Sequence, residues 1–414
     1  MLFFAAGAIA AVYFIAGKMR GEQIPPLYSK GGITEHEAKD QIFTLTPQDV
    51  ILRDNSTITV QIADGFGIAV AAEGLGKARF LAKSPDGRIF VPDMKNMSDN
   101  TDGKIYVLSD FDEREMRFKK KAVYLSNLRN PNSVAFYTDR NGSHWLYVAL
   151  TDKLVRYAYA EGEAKPSSTP EVIARFPDYG KNYTEGGWHL TRTIAIHNDT
   201  IYVSVGSSCN SCEEEPGETR AMIVAMNPDG SNDRVYAKGL RNAVGIAWAG
   251  DALYATEMGS DHLGDDAPDE PMYRITENAH YGWPYCYHEN GRVYEDKTTA
   301  WKGKNVACNE IPLAFAYFDA HTAPLGLAYF NESFASPILQ NSFLVALHGS
   351  GEKRLGRGHS IMRVTQDGKV QEFIAGFFKN GERLSRPVAI LSHDDRSFFF
   401  TDDYKGLVYY VYAR

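Results

Sequence analysis

The chain has 414 residues, with 44 Lys+Arg against 52 Asp+Glu, a formal charge of −8. With 44% hydrophobic and 23% charged residues it has enough apolar material for a sizeable core, which excludes disorder as the main state. The acidic balance, without a Lys/Arg stripe interleaved with aromatics, excludes nucleic acid as a partner; Lys119-Lys120-Lys121 reads as a solvated face.

Leu2 to Gly17 is an apolar run followed by Lys18 and Arg20. It is short for a spanning helix and long for a signal h-region, so residues 1–17 are read as a signal peptide or membrane anchor, with a buried N-terminal helix as the alternative. No comparable run follows, which excludes a polytopic membrane protein. Residues 18–50 are polar and contain Pro25-Pro26; they read as a linker, and residues 51–414 as the folded domain. Ile58 to Ala72 alternates like strands and could close a ring.

From Arg79 onward one pattern recurs: an apolar run, a turn, an aromatic-rich run and another apolar run. The first instance contains Ile89-Phe90-Val91 and Ile105-Tyr106-Val107. The second contains Trp145-Leu146-Tyr147-Val148, and the third Ile201-Tyr202-Val203. The fourth contains Leu253-Tyr254-Ala255, the fifth Phe343-Leu344-Val345 and the sixth Phe398-Phe399-Phe400. Six sets of short strands, with no helix-period segment competing, predict an all-β fold: a six-bladed β-propeller.

The four cysteines favour export. Cys209–Cys212 and Cys286–Cys308 both close locally and are the expected disulfides. A zinc site is the rival, and a thioredoxin-like role is weaker because no βαβ pattern surrounds the CxxC. N-x-S/T sequons at Asn55, Asn96, Asn141, Asn182, Asn198 and Asn331 fit surface loops of an exported chain. The expected location is periplasmic or secreted.

Propellers bind ligands at one mouth of the channel, so the residues entering each inner strand carry the chemistry. Three segments stand out. Gly186-Gly187-Trp188-His189-Leu190-Thr191-Arg192 places a histidine at the mouth. Lys238-Gly239-Leu240-Arg241-Asn242-Ala243 offers a guanidinium that can clamp carboxylates and an amide that both donates and accepts. Glu257 to Glu270 packs carboxylates at a density that suits Ca²⁺, without the spacing of an EF-hand. A structural histidine, a surface arginine and a solvated acidic loop are the ordinary alternatives.

In order, GWHLTRTIAI, SVGSSCNSC, GLRNAVGIAW, ATEMGSD…GDDAPDEPMYRI…AHYGWPYC and ALHGS…GHSIMRV resemble the glucose/sorbosone dehydrogenase family, six-bladed propellers that use pyrroloquinoline quinone (PQQ). The likeness is to its sorbosone and pyranose dehydrogenase branch and covers about residues 60 to 412. It implies a PQQ- and Ca²⁺-dependent dehydrogenase of an aldose or sugar-derived aldehyde. An external quinone or cytochrome would be the electron acceptor, since the chain has no CxxCH haem motif.

By position, His189 matches the family's base, and Arg241 and Asn242 match the pair at the quinone edge. The carbonyls of Gly259 and Ser260 match the ligands of the cofactor Ca²⁺. Glu270 and the Tyr281 carbonyl match a second, structural calcium site. Lys353 or Arg354, and Arg386, match partners of the PQQ carboxylates. The chain departs from the pattern at Ser207, where glucose-oxidising members have an Asp behind the His. It departs again at Leu384, which replaces a basic residue, and at an insertion at Pro271. A calcium-dependent lactonase-type hydrolase and a non-catalytic binding propeller are the competing functions.

Overall fold

The computed structural model describes residues 43–178, 189–214, 217–297 and 307–414. The apolar N-terminal segment, most of the expected linker and Gly186-Gly187-Trp188 lie outside them. Among the described residues no helix is long and apolar enough to cross a membrane.

Six antiparallel sheets form the propeller, as the repeats predict. The inner-to-outer strands of the first blade are Ala82–Lys83, Ile89–Asp93, Gly103–Asp112 and Arg117–Leu128. The second is Ser133–Thr138, His144–Ala149, Lys153–Tyr159 and Glu171–Arg175. The third is Arg192–His197, Thr200–Val205, Met222–Met226 and Arg234–Lys238. The fourth is Ile246–Ala249, Ala252–Thr256, Glu270–Ile275 and Ala316–Phe318, with the extra hairpin Cys286–Glu289 and Arg292–Glu295.

The fifth blade runs Pro324–Phe330, Ser342–Leu347, Ser360–Val364 and Val370–Ala375, and the hairpin Leu45–Ile51 and Thr57–Ala63 extends its outer edge. The sixth joins Pro387–Ser392, Ser397–Asp402 and Leu407–Ala413 to Phe66–Glu73. That last pairing closes the ring by zipping the first blade-forming strand onto the last.

The stretch Ile58 to Ala72 therefore divides. Asp64-Gly65, with Gly65 at φ 85°, turns the chain, so Phe66–Glu73 closes the sixth blade while the strand before it serves the fifth. The first described strand starts at Leu45, and Phe43 before it is buried against Phe373, both inside the stretch read as linker.

Burial follows position in the blade. Ser342–Leu347 and Ser397–Asp402 are buried along their whole length, because neighbouring blades cover both faces. The outer strand Arg117–Leu128 exposes most of its residues. Aromatic rings fill the wedge between blades: Phe90 meets Tyr124, Phe136 and Tyr159 edge-on between the first and second. Each such ring contributes about 2 kcal/mol by burial.

Polar stitches link every adjacent pair of blades near the channel. Arg79 donates to Asp403 (2.9 Å) and to the Asn132 side-chain carbonyl (2.9 Å). The Asn132 amide donates to Arg192 O (3.1 Å), and Ser207 N to Arg241 O (2.7 Å). Thr256 Oγ1 donates to Leu325 O (2.6 Å), and His348 Nε2 lies 2.8 Å from Asp403 Oδ1. These groups are buried, so each stitch fixes one blade's rotation against the next at a net gain of about 1 kcal/mol.

Candidate functional site at the propeller mouth

His189, Arg241, Asn242 and Arg386 all lie just before inner strands. The loops beginning at Ser207, Glu257 and His348 all follow second strands. Antiparallel pairing puts the start of the first strand and the end of the second at one end of the blade, so all of them gather at the same mouth.

His189 sits at φ 54°, a left-handed conformation that costs a non-glycine residue about 1 kcal/mol. Arg192 holds it there: Nη1 donates to the carbonyls of His189 (2.6 Å) and Thr191 (2.8 Å), and Nη2 to Pro177 O (2.8 Å). His189 Nδ1 lies 3.0 Å from both the carbonyl and the hydroxyl of Ser207. The Ser207 hydroxyl donates its own proton to Cys209 O (2.7 Å). Both Ser207 oxygens are thus acceptors toward the ring, which fixes the proton on Nδ1 and makes Nε2 the basic nitrogen. Burial, then the Arg241 guanidinium, hold the imidazole well below its ordinary pKa.

Arg241 is buried. Nε donates to Asn210 O (2.9 Å), Nη2 to Asn210 Oδ1 (2.8 Å) and Asp261 Oδ2 (3.2 Å), and Nη1 to Met258 O (3.2 Å). Asp261 is exposed, so solvent screens that pair and the guanidinium keeps most of its field toward the mouth. Asn242 donates from its backbone to Glu257 Oε1 (3.0 Å) and from its amide to Met258 sulfur (3.3 Å). Gly206 joins the two predicted groups: a Cβ there would stand 2.5 Å from His189 Cβ and 2.6 Å from Asn242 Oδ1.

The acidic loop is built rather than simply solvated. Glu270 is buried, and burial lifts it to about 7. Its oxygens accept from Gly259 N (2.7 Å) and His321 N (3.1 Å). Ser260 Oγ donates to Asn210 O (3.1 Å), and His321 Nε2 lies 2.8 Å from Gly264 O. Burial lifts Glu257 to about 8, and its Oε2 has no partner among the described residues. Pro271 O accepts from Glu257 N (2.9 Å), so the inserted residue stays in the blade's register. Tyr281 packs against Tyr273 in the blade wall while its N–H donates to Lys238 O (2.8 Å).

The expected basic residues divide. Arg386 donates to His348 O (3.0 Å) and Gly349 O (2.6 Å) at the mouth. Lys353 and Arg354 are exposed at the rim: Lys353 reaches Glu382 (3.0 Å), and Arg354 grips Asp265 with two bonds of 2.7 Å. Arg383, beside Leu384, donates to Ser350 O (2.7 Å), and its buried Nε has no partner among the described residues. Asn210 lies in SVGSSCNSC, enclosed by the CxxC, and Asp261 ends ATEMGSD in the acidic stretch, whereas His321 and Arg383 carry no motif.

All four cysteines are paired, Cys209–Cys212 and Cys286–Cys308, as the short closures predict, so the zinc reading falls.

Solved structures share this fold. The chain is similar to the calcium structure of Trichoderma reesei Carbohydrate-Active Enzymes Family AA12, with TM-score 0.71 and 17% identity over 85% of this chain and 96% of that one. It is similar to the holo form of the pyranose dehydrogenase PQQ domain from Coprinopsis cinerea, with TM-score 0.70 and 18% identity over 87% and 98% of the two chains. The PQQ-bound aldose sugar dehydrogenase from Streptomyces coelicolor gives TM-score 0.58 and 17% identity over 84% and 98%. An uncharacterized protein of Borreliella burgdorferi is 25% identical over 385 residues, covering 87% of this chain and 93% of that protein. The TrAA12-like family model matches residues 60–414, the whole closed ring from the fifth blade's edge hairpin onward, and the chain belongs to that family.

Proposed function

We propose that the chain is an exported, PQQ- and Ca²⁺-dependent dehydrogenase that oxidises an aldose or sugar-derived aldehyde and passes the electrons to an external acceptor. The observation that carries this reading is the His189 tautomer: a ring with Nδ1–H held by Ser207 and a basic Nε2, set beside a buried guanidinium. Oxidising a carbinol needs such a pair, one group to take the hydroxyl proton and one to balance negative charge that develops opposite it.

The residues fit the cofactor's chemistry. PQQ is a planar, anionic, oxygen-rich group. Arg241 and Asn242, together with Arg386, would be the donors for it. The carbonyls of Gly259 and Ser260, in a loop dense in hard oxygen donors, would hold Ca²⁺. When bound, PQQ supplies the two-electron acceptor for the hydride. His189 Nε2 accepts the hydroxyl proton, Ser207 keeps the imidazole oriented as it charges, and Arg241 stays fixed by Asn210. The similar structures, among them the holo form of a pyranose dehydrogenase PQQ domain and a PQQ-bound aldose sugar dehydrogenase, support the same chemistry. The paired cysteines support an oxidising compartment.

The test is titration of metal-stripped protein with PQQ, with and without Ca²⁺, followed by absorbance, then an aldose panel with an artificial electron acceptor. Saturable, calcium-dependent binding and turnover are expected. Absence of binding in both conditions overturns the reading and leaves a hydrolase or a binding propeller.

A further inference from the structure

We infer that Asn210, inside the ring closed by Cys209–Cys212, is a positioning residue that sets Arg241 and ties together the loops of the mouth; its role in turnover rests on the function proposed above. Asn210 uses its carbonyl and both polar atoms of its side chain. Its carbonyl accepts from Arg241 Nε (2.9 Å), Ser260 Oγ (3.1 Å) and Trp283 Nε1 (3.2 Å). Its Oδ1 accepts from Arg241 Nη2 (2.8 Å) and the backbone of Asp261 (3.0 Å), and its Nδ2 lies 3.4 Å from His262 Nδ1. The third-blade loop, the Arg241 loop, the Gly259–Asp261 loop and the Trp283 corner thus converge on one residue.

Two features make this more than a structural knot. The carbonyl and Oδ1 of Asn210 form a neutral fork on two nitrogens of the guanidinium, so Asn210 holds Arg241 without adding to the countercharge that Asp261 supplies. A carboxylate in the same place would keep the geometry and cancel the charge. Second, the disulfide restrains Cys209, whose carbonyl orients Ser207 and through it His189. One closed turn therefore indexes both groups of the proposed pair.

Two substitutions separate position from charge: Asn210→Ala removes the side-chain acceptor, and Asn210→Asp keeps it while adding a negative charge. The first readout uses the full chain without cofactor. With ¹⁵N-labelled arginine, the Arg241 Nη2–H signal, assigned by Arg241→Lys, reports whether the Asn210 side chain holds the guanidinium. With labelled histidine, the His189 midpoint reports the local field; Arg241, Asp261 and Arg192 are the charges that face it. The second readout is PQQ affinity in the presence of Ca²⁺.

Asn210→Ala is expected to expose the Arg241 Nη2 hydrogens to fast solvent exchange, since Nη2 is the nitrogen that donates to Oδ1, and to weaken PQQ binding about ten-fold or more, with the melting midpoint little changed. Asn210→Asp is expected to keep that signal protected and to raise the His189 midpoint. A protected Arg241 signal in Asn210→Ala, or an unmoved His189 midpoint in Asn210→Asp, overturns the inference. If the unmodified chain binds no PQQ, the functional proposal fails, and the cofactor-free arm still decides whether Asn210 positions Arg241.

Discussion

Ser207 holds His189 without charging it. Nδ1 of the ring lies 3.0 Å from the serine carbonyl and 3.0 Å from its hydroxyl oxygen, and neither oxygen carries a formal charge. The glucose-oxidising branch implied by the sequence resemblance has an Asp at this position. The orienting half of that residue's task survives here and the electrostatic half is gone, which agrees with a histidine held well below its ordinary pKa. Ser207→Asp should restore the charge. An anion within hydrogen-bond reach raises the imidazolium pKa by about 1–3 units, so the acid limb of the pH–rate profile should move upward. The substitution also loses the bond to Cys209 O, so part of the gain is offset by looser packing. A pH–rate profile of both forms checks it; an unmoved acid limb would remove His189 from the role of base.

Gly206 lets two site residues approach. A Cβ there would stand 2.5 Å from His189 Cβ and 2.6 Å from Asn242 Oδ1, closer than real side chains tolerate. Gly206→Ala should lower kcat at least ten-fold by displacing the base about an ångström. Its far-ultraviolet circular dichroism should match the parent, because the ladder of strands is untouched. Unchanged turnover would show that the mouth yields more readily than this packing implies.

The blades were legible because each repeat alternates apolar runs with turn residues, and that pattern is local. Ring closure was half legible: the stretch from Ile58 alternates throughout, and only the turn at Gly65 divides it between two sheets. His189 and Arg241 were legible from short motifs before inner strands. Asn210 and His321 were not, since their partners lie 31 or more residues away and are fixed only when blades meet. The choice between Lys353 and Arg354 could not be made from sequence, and both reach the exposed rim, while Arg383 lies on the Ser350 and Gly351 carbonyls.

The two disulfides should separate stability from site integrity. Closure of the short Cys209–Cys212 ring (sequence separation 3) is worth about 2 kcal/mol on chain entropy, and that of Cys286–Cys308 (separation 22) about 3 kcal/mol. Paired Cys→Ser variants should therefore give the larger fall in melting midpoint for 286/308. The larger fall in PQQ affinity should come from 209/212, whose ring carries Asn210. Melting curves and cofactor titrations on both variants check the crossing; equal losses in affinity would mean that the short ring is not what holds the mouth.

Asp403 closes the first blade on the sixth. It accepts from Arg79 at 2.9 Å and lies 2.8 Å from His348 Nε2, and all three groups are buried. Although burial pushes the carboxyl upward, His348 and Arg79 together hold it well below the usual carboxylate range. Asp403→Asn would leave the guanidinium buried without its counter-charge, at a cost of about 3–5 kcal/mol. Chemical denaturation should show that loss, with the slope of the transition unchanged if the unfolded state is unaffected. A cost under about 1 kcal/mol would mean that solvent reaches Arg79.

His348 gives the ring an acid limit of its own. Burial is the main cause that brings its imidazole down to about 4, against the opposing pull of Asp403. The folded state thus prefers the neutral ring, whose Nε2–H donates to Asp403. A histidine depressed from about 6.5 to about 4 contributes stability that is complete above its unfolded pKa and lost as pH falls through the folded one. The window is therefore about pH 6.5 down to 4, and the full contribution is about 3 kcal/mol. Asp402, which burial raises to about 6, acts with the opposite sign as pH falls, so the net slope in the parent is shallower than His348 alone would give. His348→Gln keeps a donor toward Asp403 and removes the titration. Melting midpoints at pH 7 and pH 4.5 should fall less in this variant than in the parent. Parallel falls would assign the acid sensitivity of the ring to its carboxylates instead.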